Sequence, residues 1–358
     1  MKVVISAGGT GGHIYPALAI INKIKEKEPD SKFLYIGTHN RMENEIVPKR
    51  GIPFKSIEIY GFNKKKPLKN VKTLKCLIKG YNNCKKWIKE FNPDIVIGVG
   101  GYVTVPVIMA GKKLGIKTFI HEQNSIAGKS NIFLQKYCDL IGVSFENSKK
   151  YLTKTKTYLT GNPCSEEALK TKPISKKMFG FDEGKKLVLI VMGSLGANTF
   201  NKYLLSIISK FKDKDYQILW VTGKNAYEDI SKNKMPNNVK AVPFIEGMTG
   251  IMKNTDLMVT RAGASTLSEI ISLEIPAILI PSPYVANNHQ YINAMDLVSK
   301  NAGIMLEETN LKEDVLIKKI DDVINDKEKI YSIKNNLKSF KVVNSAEIIY
   351  NKIKELIK

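Results

Sequence analysis

Residues 2–27 read KVVISAGGTGGHIYPALAIINKIKEK, which predicts a strand, a glycine loop and a helix in immediate succession. The apolar run 2–6 is typical of a short buried strand, and the apolar residues of 17–27 recur at helical spacing. Glycines at such a turn let the backbone approach a ligand closely, and the first N–H groups of a helix favour an anion. This unit therefore predicts a parallel α/β sheet with a phosphate or pyrophosphate at its first loop.

The same alternation extends through both halves of the chain. Further strands are predicted at 33–37, 94–98, 118–121, 140–143, 187–192, 217–221, 239–242, 257–260, 277–281 and 304–306. Further helices are predicted at 74–91, 105–114 and 345–357, and the last of them could pack on either domain. A polar stretch after Gly161-Asn162-Pro163, reaching to about residue 186, predicts the linker. The fold class is therefore α/β, with two doubly wound Rossmann-like domains, 1–162 and 163–340, that face one cleft.

Composition limits the classes of protein that fit. A chain of 358 residues suits two domains, and 43% hydrophobic with 25% charged residues is a globular composition. No apolar run approaches the roughly 20 residues of a membrane span, and glycines follow the N-terminal apolar run too early for a signal peptide. The four cysteines include no Cys-x-x-Cys pair. We therefore expect a protein on the cytoplasmic side with free thiols.

The net charge of +22 is unevenly distributed. Residues 1–162 contain 28 Lys and Arg against 11 Asp and Glu, whereas the remainder contains 28 against 23. An asymmetry of this size predicts an anionic partner for the first half, either a nucleic acid or an anionic membrane.

Two further glycine loops follow predicted strands, at 98–102 and 193–197. The first loop lacks the Gly-Lys-Ser/Thr of a Walker loop, and Ile14 stands where a dinucleotide fingerprint requires its third glycine. Three glycine loops at the carboxyl ends of strands predict two phosphorylated ligands in one cleft.

Residues 261–269 read RAGASTLSE and follow a predicted strand. Their small residues suit a diphosphate at a helix N-terminus, and Glu269 suits two ribose hydroxyls. The alternative is a capping box in which Ser265 or Thr266 caps the helix and Glu269 reaches back. Residues 281–290, PSPYVANNHQ, provide amide and imidazole groups that suit a sugar, although an ordinary surface N-cap would also explain them.

The segment 62–90 contains ten lysines and one acidic residue, Glu90. Its apolar residues fall at mostly helical spacing and are predicted mainly to face the core; they are Val71, Leu74, Leu77, Ile78, Tyr81 and Ile88. A basic loop with apolar tips precedes them and predicts docking to an anionic membrane; it comprises Phe62, Lys64, Lys65, Lys66 and Leu68. The alternative for the lysines is a solvated face.

Several motifs occur in an order that resembles one family. They are GGTGGH (8–13), GGYV (100–103), HEQN (121–124), GNP (161–163), RAGA with Ser268-Glu269, and NHQ (288–290). This order resembles the MurG family of peptidoglycan synthesis, and the resemblance covers nearly the whole chain. It implies the GT-B fold and inverting transfer of GlcNAc from UDP-GlcNAc to the C4 hydroxyl of undecaprenyl-pyrophosphoryl-MurNAc-pentapeptide (lipid I), giving lipid II. It also implies an acceptor-binding first domain, a donor-binding second domain, and a C-terminal helix, 341–358, that crosses back to the first.

The resemblance also implies site residues. Those for the donor are Thr10, Gly11, Gly12, Asn124, Ser194, the backbone of Ile245, Ala264, Ser265, Thr266, Leu267, Ser268, Glu269 and Gln290. Those for the acceptor pyrophosphate are Gly9, Gly100, Gly101 and Tyr102. Ser165 and Leu195 stand where the family often has arginine and glutamine, so those two donor contacts are left open.

The expected chemistry needs a base for the acceptor hydroxyl and a group that stabilises the leaving diphosphate. The helix start at 264–266 is expected to stabilise the diphosphate. Because no Asp-x-Asp pair stands at a strand end, we expect no metal and no other cofactor. His13 is the candidate base, or it could instead orient the first loop. Glu122 is the second candidate, or it could instead hold the Asn124 loop in shape.

Two other classes of function compete with this interpretation. A UDP-sugar 2-epimerase of the same fold would use the donor signature but would leave the basic first half unexplained. A nucleic-acid-binding module would explain the charge, but no recognition helix or aromatic stacking motif is apparent. The expected partners are therefore UDP-GlcNAc, lipid I and an anionic membrane, without nucleic acid, at the cytoplasmic face of the plasma membrane.

Overall fold

The computed structural model describes residues 1–61, 69–193 and 197–358. Some predicted site residues lie outside the described residues, namely Phe62, Lys64, Lys65, Lys66 and Leu68 of the membrane loop, and Ser194 with Leu195 of the third glycine loop.

Thirteen strands in the described chain form two all-parallel sheets. The first sheet comprises β1 (Lys2–Ser6), β2 (Lys32–Thr38), β3 (Phe54–Ile57), β4 (Ile95–Gly98), β5 (Lys117–Glu122), β6 (Leu140–Val143) and β7 (Thr157–Leu159), in the order β3-β2-β1-β4-β5-β6-β7. The second comprises β8 (Leu187–Val191), β9 (Gln217–Val221), β10 (Val239–Val242), β11 (Leu257–Thr260), β12 (Ala277–Leu279) and β13 (Ile304–Met305), in the order β10-β9-β8-β11-β12-β13. The sequence did not predict β3 and β7, because these short edge strands bury few residues.

Helices connect the strands, as parallel pairing requires. They are α1 (Gly11–Lys27), α2 (Glu43–Ile46), α3 (Lys69–Phe91), α4 (Thr104–Lys113), α5 (Lys129–Leu134), α6 (Cys164–Lys170), α7 (Asn198–Ile207), α8 (Lys224–Ser231), α9 (Met248–Met252), α10 (Ala264–Leu273), α11 (His289–Val298), α12 (Val315–Ile324), α13 (Lys327–Lys338) and α14 (Ser345–Ile357). Among the described helices, none combines the length and apolar character that crossing a bilayer requires.

The chain divides into two compact units, Met1–Cys164 with Val342–Lys358 and Ser165–Lys341. The predicted linker 163–186 is not an open connection, because it contains α6 and a 3₁₀ helix, Lys176–Phe179. Lys176 Nζ donates to the carbonyl of Lys185 at 2.7 Å and pairs with Asp256 at 3.5 Å. This stretch therefore belongs largely to the second unit.

The C-terminal helix α14 packs against α1 in the first unit. Ile349 and Ile353 are fully buried in the core that lies between α1 and the sheet. Burial of two such side chains contributes about 1.5–3 kcal/mol each. Lys27 pairs with Glu347 at 2.8 Å, and Lys354 pairs with Glu28 at 2.7 Å. Of the two domains on which the helix could pack, it therefore uses the first.

Each sheet reverses its strand order once, beside its first strand. In the first unit β1 lies between β2 and β4, and in the second unit β8 lies between β9 and β11. Loops diverge at the carboxyl ends of such strand pairs and leave a crevice, where open α/β sheets bind their ligands. Two candidate sites follow, one in each unit.

Candidate functional site

The first and second glycine loops touch in the first unit. Gly8 N donates to the carbonyl of Gly100 at 3.2 Å. Gly101 has φ +91°, and a Cβ there would lie 2.5 Å from the Gly8 carbonyl oxygen. A larger residue at 101 would separate the loops, so the close approach explains why glycine stands there.

His13 lies against both loops. Its Nδ1 is 3.0 Å from the carbonyl oxygen of Gly8, and a Cβ on Gly100 would lie 2.6 Å from the ring. Because a carbonyl can only accept, Nδ1 carries the proton of the neutral ring, and Nε2 retains its lone pair. The predicted roles of His13 are therefore compatible with each other, since the ring orients the loop through Nδ1 and keeps a proton acceptor at Nε2.

The N–H of Gly9 is not available to a pyrophosphate. It lies 3.3 and 3.2 Å from the two carboxylate oxygens of Glu43, a fully buried residue after β2. The predicted contact of Gly9 with the acceptor therefore lacks its natural donor. Thr10 and Gly12 are exposed at the start of α1 and remain candidates. The sequence analysis did not identify Glu43. The one feature that could have indicated it is its position after β2, at the same edge of the sheet as the glycine loops.

Tyr102 lies next to the residue that precedes the predicted membrane loop, and it belongs to the predicted acceptor site. Its ring is 52% exposed and covers Gly61, where a Cβ would lie 2.6 Å from the ring. Gly61 is the last described residue before the basic loop. The chain therefore enters that loop beside the second glycine loop.

Glu122 is engaged on both of its oxygens. Oε1 accepts from Asn124 N at 2.9 Å and from its side-chain amide at 3.2 Å. Oε2 accepts from Gly128 N at 2.7 Å and from Asn131 at 2.9 Å. This carboxylate is buried and fully hydrogen-bonded, so the geometry favours the role of holding the Asn124 loop over the role of base.

The neighbouring His121 is also structural. It is fully buried, and burial lowers its pKa to about 4. The ring Nε2 donates to the carbonyl of Gly161 at 3.0 Å, while Nδ1 lies 3.0 Å from the amide nitrogen of Gln123. This neutral imidazole fastens the end of the first sheet to the Gly161-Asn162-Pro163 turn.

In the second unit, α10 begins at Ala264 with Gly263 as its N-cap. Glu269 is thus the sixth residue of the helix, whereas a capping box places the acid at the third. The capping-box alternative is therefore excluded. Within the described chain no hydrogen bond or ion pair involves the Glu269 carboxyl group, and burial raises its pKa to about 7.

The start of α10 also leaves a buried hydroxyl unpaired. Ser265 Oγ has no hydrogen-bond partner among the described residues. Backbone N–H groups in the first turn of a helix point outward and favour an anion. Ala264, Ser265 and Thr266 therefore remain candidates for binding an anion, with Glu269 one turn further on.

Leu267 and Ser268 follow these residues in α10. Leu267 is fully buried, and its N–H donates to the carbonyl of Gly263 at 2.9 Å. Ser268 Oγ donates to the carbonyl of Ala264 at 2.8 Å. These two residues were expected to contact the donor, and that contact stays a prediction.

Gln290 and Ile245 lie near the ends of other strands of the second sheet. Gln290 Oε1 accepts from Ser282 N at 2.8 Å and stabilises the loop after β12. Asn288, the N-cap of α11, has φ +49° and no capping bond from its side chain within the described chain, so an ordinary N-cap does not explain it. Ile245 is 6% exposed, which leaves only its backbone for a ligand.

Arg261 has a structural role. Its Nη1 lies 2.6 Å from Glu308 Oε2 and donates to the carbonyl of Ile280 at 3.1 Å. This buried pair fastens the loop after β11. The described residues contain no group of three or more His, Cys, Asp or Glu side chains that could hold a metal ion.

Helix α3 exposes part of its apolar stripe. Val71, Leu74 and Ile78 are 57%, 50% and 54% exposed, whereas Ile88 is fully buried. The expectation that this stripe mainly faces the core is therefore wrong for its N-terminal half. In that half of the helix the buried residues are Thr73 and Gly80, which stand on the opposite face.

Comparison with known proteins gives matches along the whole chain. Residues 3–143 match the glycosyltransferase family 28 N-terminal domain, and residues 187–349 match its C-terminal domain. A Bacillus cereus protein is 45% identical over 363 residues, covering 100% of each chain. A Bacillus licheniformis protein is 45% identical over 361 residues, covering 99% of each. Both relatives are named UDP-N-acetylglucosamine–N-acetylmuramyl-(pentapeptide) pyrophosphoryl-undecaprenol N-acetylglucosamine transferase.

Solved structures align with this chain over nearly its whole length. The crystal structure of Acinetobacter baumannii MurG aligns with a TM-score of 0.78 at 24% identity and covers 99% of each chain. A UDP-GlcNAc 2-epimerase from Neisseria meningitidis aligns with a TM-score of 0.67 at 17% identity, covering 99% of this chain and 100% of its own. Together with the two parallel sheets, these likenesses confirm the predicted two-domain α/β GT-B fold.

Proposed function

The chain belongs to the pyrophosphoryl-undecaprenol N-acetylglucosamine transferases of glycosyltransferase family 28, and from this membership we propose the following reaction. The enzyme transfers GlcNAc from UDP-GlcNAc to undecaprenyl-pyrophosphoryl-MurNAc-pentapeptide, which gives lipid II for peptidoglycan. The acceptor atom is the C4 hydroxyl oxygen of MurNAc, and the anomeric carbon inverts.

The observation that carries this proposal is the start of α10. Ser265 Oγ is buried without a described partner, and no described residue pairs with Glu269. A UDP-sugar supplies what both groups lack, because its diphosphate accepts from hydroxyl and N–H groups and its ribose offers two hydroxyls to the carboxylate. The proposed donor set in this unit also includes Ser194, the backbone of Ile245, Leu267, Ser268 and Gln290.

The first unit supplies the proposed acceptor site. Gly100, Gly101 and Tyr102 with the exposed start of α1 are proposed to bind the pyrophosphate of the lipid. Thr10, Gly11, Gly12 and Asn124 are proposed to contact the donor sugar. Gly9 is left out of the set, since Glu43 occupies its N–H.

The proposed step moves one proton and one sugar. The C4 oxygen forms a bond to the anomeric carbon, and its proton passes to Nε2 of His13. The bond from the anomeric carbon to the β-phosphate oxygen breaks, and its electron pair leaves with UDP. The N-terminus of α10 stabilises the charge that develops on that oxygen.

We also propose that the first unit docks on the cytoplasmic face of an anionic membrane. The exposed Val71, Leu74 and Ile78 stand at helical spacing on α3 among exposed lysines, which are Lys72, Lys75, Lys79, Lys85, Lys86 and Lys89. Each lysine near an anionic surface contributes about 1 kcal/mol, and apolar tips add to this by burial in the interface. Lys64, Lys65 and Lys66, which precede α3 in the sequence, add to the positive charge of this part of the chain. The apolar tail of the acceptor requires such a location.

A transfer assay with labelled UDP-GlcNAc tests the proposed reaction. With an undecaprenyl-linked acceptor, label is expected in the lipid fraction, and without the acceptor the nucleotide sugar is expected to remain intact. Conversion of UDP-GlcNAc to its C2 epimer, without any need for acceptor, would instead assign the chain to the epimerases.

A further inference from the structure

The peptide bond between Gly8 and Gly9 is hydrogen-bonded at both of its ends. On its N–H side, Gly9 donates to the Glu43 carboxylate at 3.2 Å. On its C=O side, Gly8 accepts from Nδ1 of His13 at 3.0 Å. A single peptide group therefore stands between a buried carboxylate and the imidazole of the proposed base.

The site of Glu43 is built around its carboxylate. The residue is fully buried and also accepts from the N–H of Thr38 at 3.1 Å and from the Thr38 hydroxyl. A Cβ on Gly8 would collide with Oε1 of Glu43, and a Cβ on Gly37 would lie 2.8 Å from its Cγ. The two glycines thus leave space for the Glu43 side chain, and this packing places its carboxylate against the first loop.

A charge at one end of a peptide group strengthens the hydrogen bond at the other end. An ionised acceptor on the N–H polarises the amide, so the carbonyl becomes a better acceptor for Nδ1–H. A stronger bond at Nδ1 fixes the tautomer and favours the imidazolium that forms when Nε2 takes a proton. The arrangement does what a carboxylate in direct contact with a histidine does, with a peptide group in between.

We propose that Glu43 is a positioning residue that acts through the Gly8–Gly9 peptide to set the tautomer, orientation and basicity of His13. This inference rests on the proposed role of His13 as the base. Other titratable groups stand on α1 or at the carboxyl ends of nearby strands of the same sheet: Tyr15 on α1, His39 and Arg41 after β2, Tyr102 after β4, and Glu122 at the end of β5. Of these, Glu122 is already bonded to four donors of its own loop.

The test is NMR of the histidine ring nitrogens, which reports the tautomer of each neutral ring and needs no catalysis. The chain has four histidines, so ¹⁵N-histidine labelling gives few signals, and His13→Gln assigns the one of interest. In the wild type, Nδ1 of neutral His13 is expected to be protonated and Nε2 unprotonated. In Glu43→Gln, the fraction of neutral His13 that carries its proton on Nδ1 is expected to fall, because the Gly8 carbonyl becomes a weaker acceptor once the negative charge on the Gly9 N–H has been removed.

Kinetics of the same variants give a second readout. In Glu43→Gln, kcat is expected to fall about 10- to 100-fold with little change in the donor KM, by analogy with the partners of metal-bound histidines, whose loss costs about that much. Thr38→Val is the matched control, because it removes another donor to the carboxylate but keeps the charge and the Gly9 bond. The tautomer of His13 is expected to be unchanged in Thr38→Val.

An Nε2–H tautomer in the wild type would overturn the proposal, whether or not Glu43→Gln folds. So would a tautomer ratio of His13 that Glu43→Gln leaves unchanged, or that Thr38→Val changes equally. Each of these results would leave GlcNAc transfer itself intact, although an Nε2–H tautomer would also remove His13 as the base. A wild-type protein with the expected tautomer but without transfer activity would contradict the proposed reaction instead.

Discussion

At the scale of single residues, Glu269 stands where burial opposes its charge and no described residue stabilises it. If it holds the ribose diol, Glu269→Ala should raise the donor KM by about one to two orders of magnitude, since a hydrogen bond to a charged group contributes about 1.5–3 kcal/mol. Steady-state kinetics with varied UDP-GlcNAc measures this. A variant with unchanged donor KM would show that the ribose is bound elsewhere.

The raised pKa of Glu269 gives a pH dependence with a definite sign. Burial raises the pKa from 4.5 to about 7, so the folded state retains a proton that the unfolded state loses between these values. Stability is therefore lost as the pH rises through this window. Glu269→Gln should raise the melting temperature of the second unit at pH 8 and have no effect at pH 4. Calorimetry at both pH values checks this, and equal shifts at both would contradict it.

His13 is the proposed base for the acceptor hydroxyl. His13→Ala should lower kcat by roughly 10²–10⁴ and remove the acidic limb of the pH–rate profile, because general-base catalysis contributes about that much. Donor affinity, measured by calorimetric titration with UDP-GlcNAc, should survive. A nearly normal kcat would leave the transfer without this base.

At the scale of elements, α3 exposes an apolar and basic face that suits a membrane. Leu74→Ser with Ile78→Ser should weaken binding to anionic vesicles, and so should reversing the charge of Lys64, Lys65 and Lys66, at about 1 kcal/mol per lysine. Vesicle co-sedimentation at low and high salt measures both effects. Tyr331→Ser, an exposed aromatic residue of the second unit, is the matched control.

Two further results test the role of this element. Transfer to a short water-soluble acceptor should be unchanged in the charge-reversed variant, because docking only brings the enzyme to its lipid. Equal binding to zwitterionic vesicles, or no binding to either kind, would exclude the docking surface.

Glu28, which follows α1, pairs with Lys354 of α14 and helps to attach that helix to the first unit. Lys354, Tyr350 and the N-terminal amine lower the pKa of Glu28 to about 2. A depressed pKa means stability that is present above about pH 4.5 and is lost as the pH falls towards 2. Glu28→Gln should therefore lower the melting temperature of the first unit at pH 7 by several degrees, and the difference should vanish near pH 2. Glu355→Gln, on an exposed pair of the same helix, should change it little.

The sequence predicted the elements whose pattern is strong and missed those that tertiary packing decides. Buried strands such as β1 and β8 read as unbroken apolar runs. The edge strand β3 buries little and could not be recognised. Either face of α3 could have been the buried one, because apolar residues stand on both. The residue at which α10 begins could not be predicted either, because glycine, serine and threonine all serve as N-caps.

At the scale of the whole molecule, the order of motifs predicted the fold and the reaction, and the relatives confirm both. The candidate site was predicted in its glycine loops, His13 and the start of α10. The role of Glu43 could not be predicted, because it depends on which backbone N–H groups come within reach of a carboxylate after folding. For Glu122 the sequence left two alternatives, and the hydrogen bonds of the folded chain favour the one in which it holds the Asn124 loop.

The amount of GlcNAc transferred for each UDP released tests the central claim most directly. UDP-GlcNAc labelled in the sugar is incubated with the enzyme and the undecaprenyl-pyrophosphoryl acceptor, and UDP and lipid-bound label are measured over time. A GlcNAc transferase should release UDP only when acceptor is present, in equal amount to the label that enters the lipid fraction. UDP release without acceptor, or conversion of UDP-GlcNAc to its epimer while the lipid fraction stays unlabelled, would contradict the proposed function.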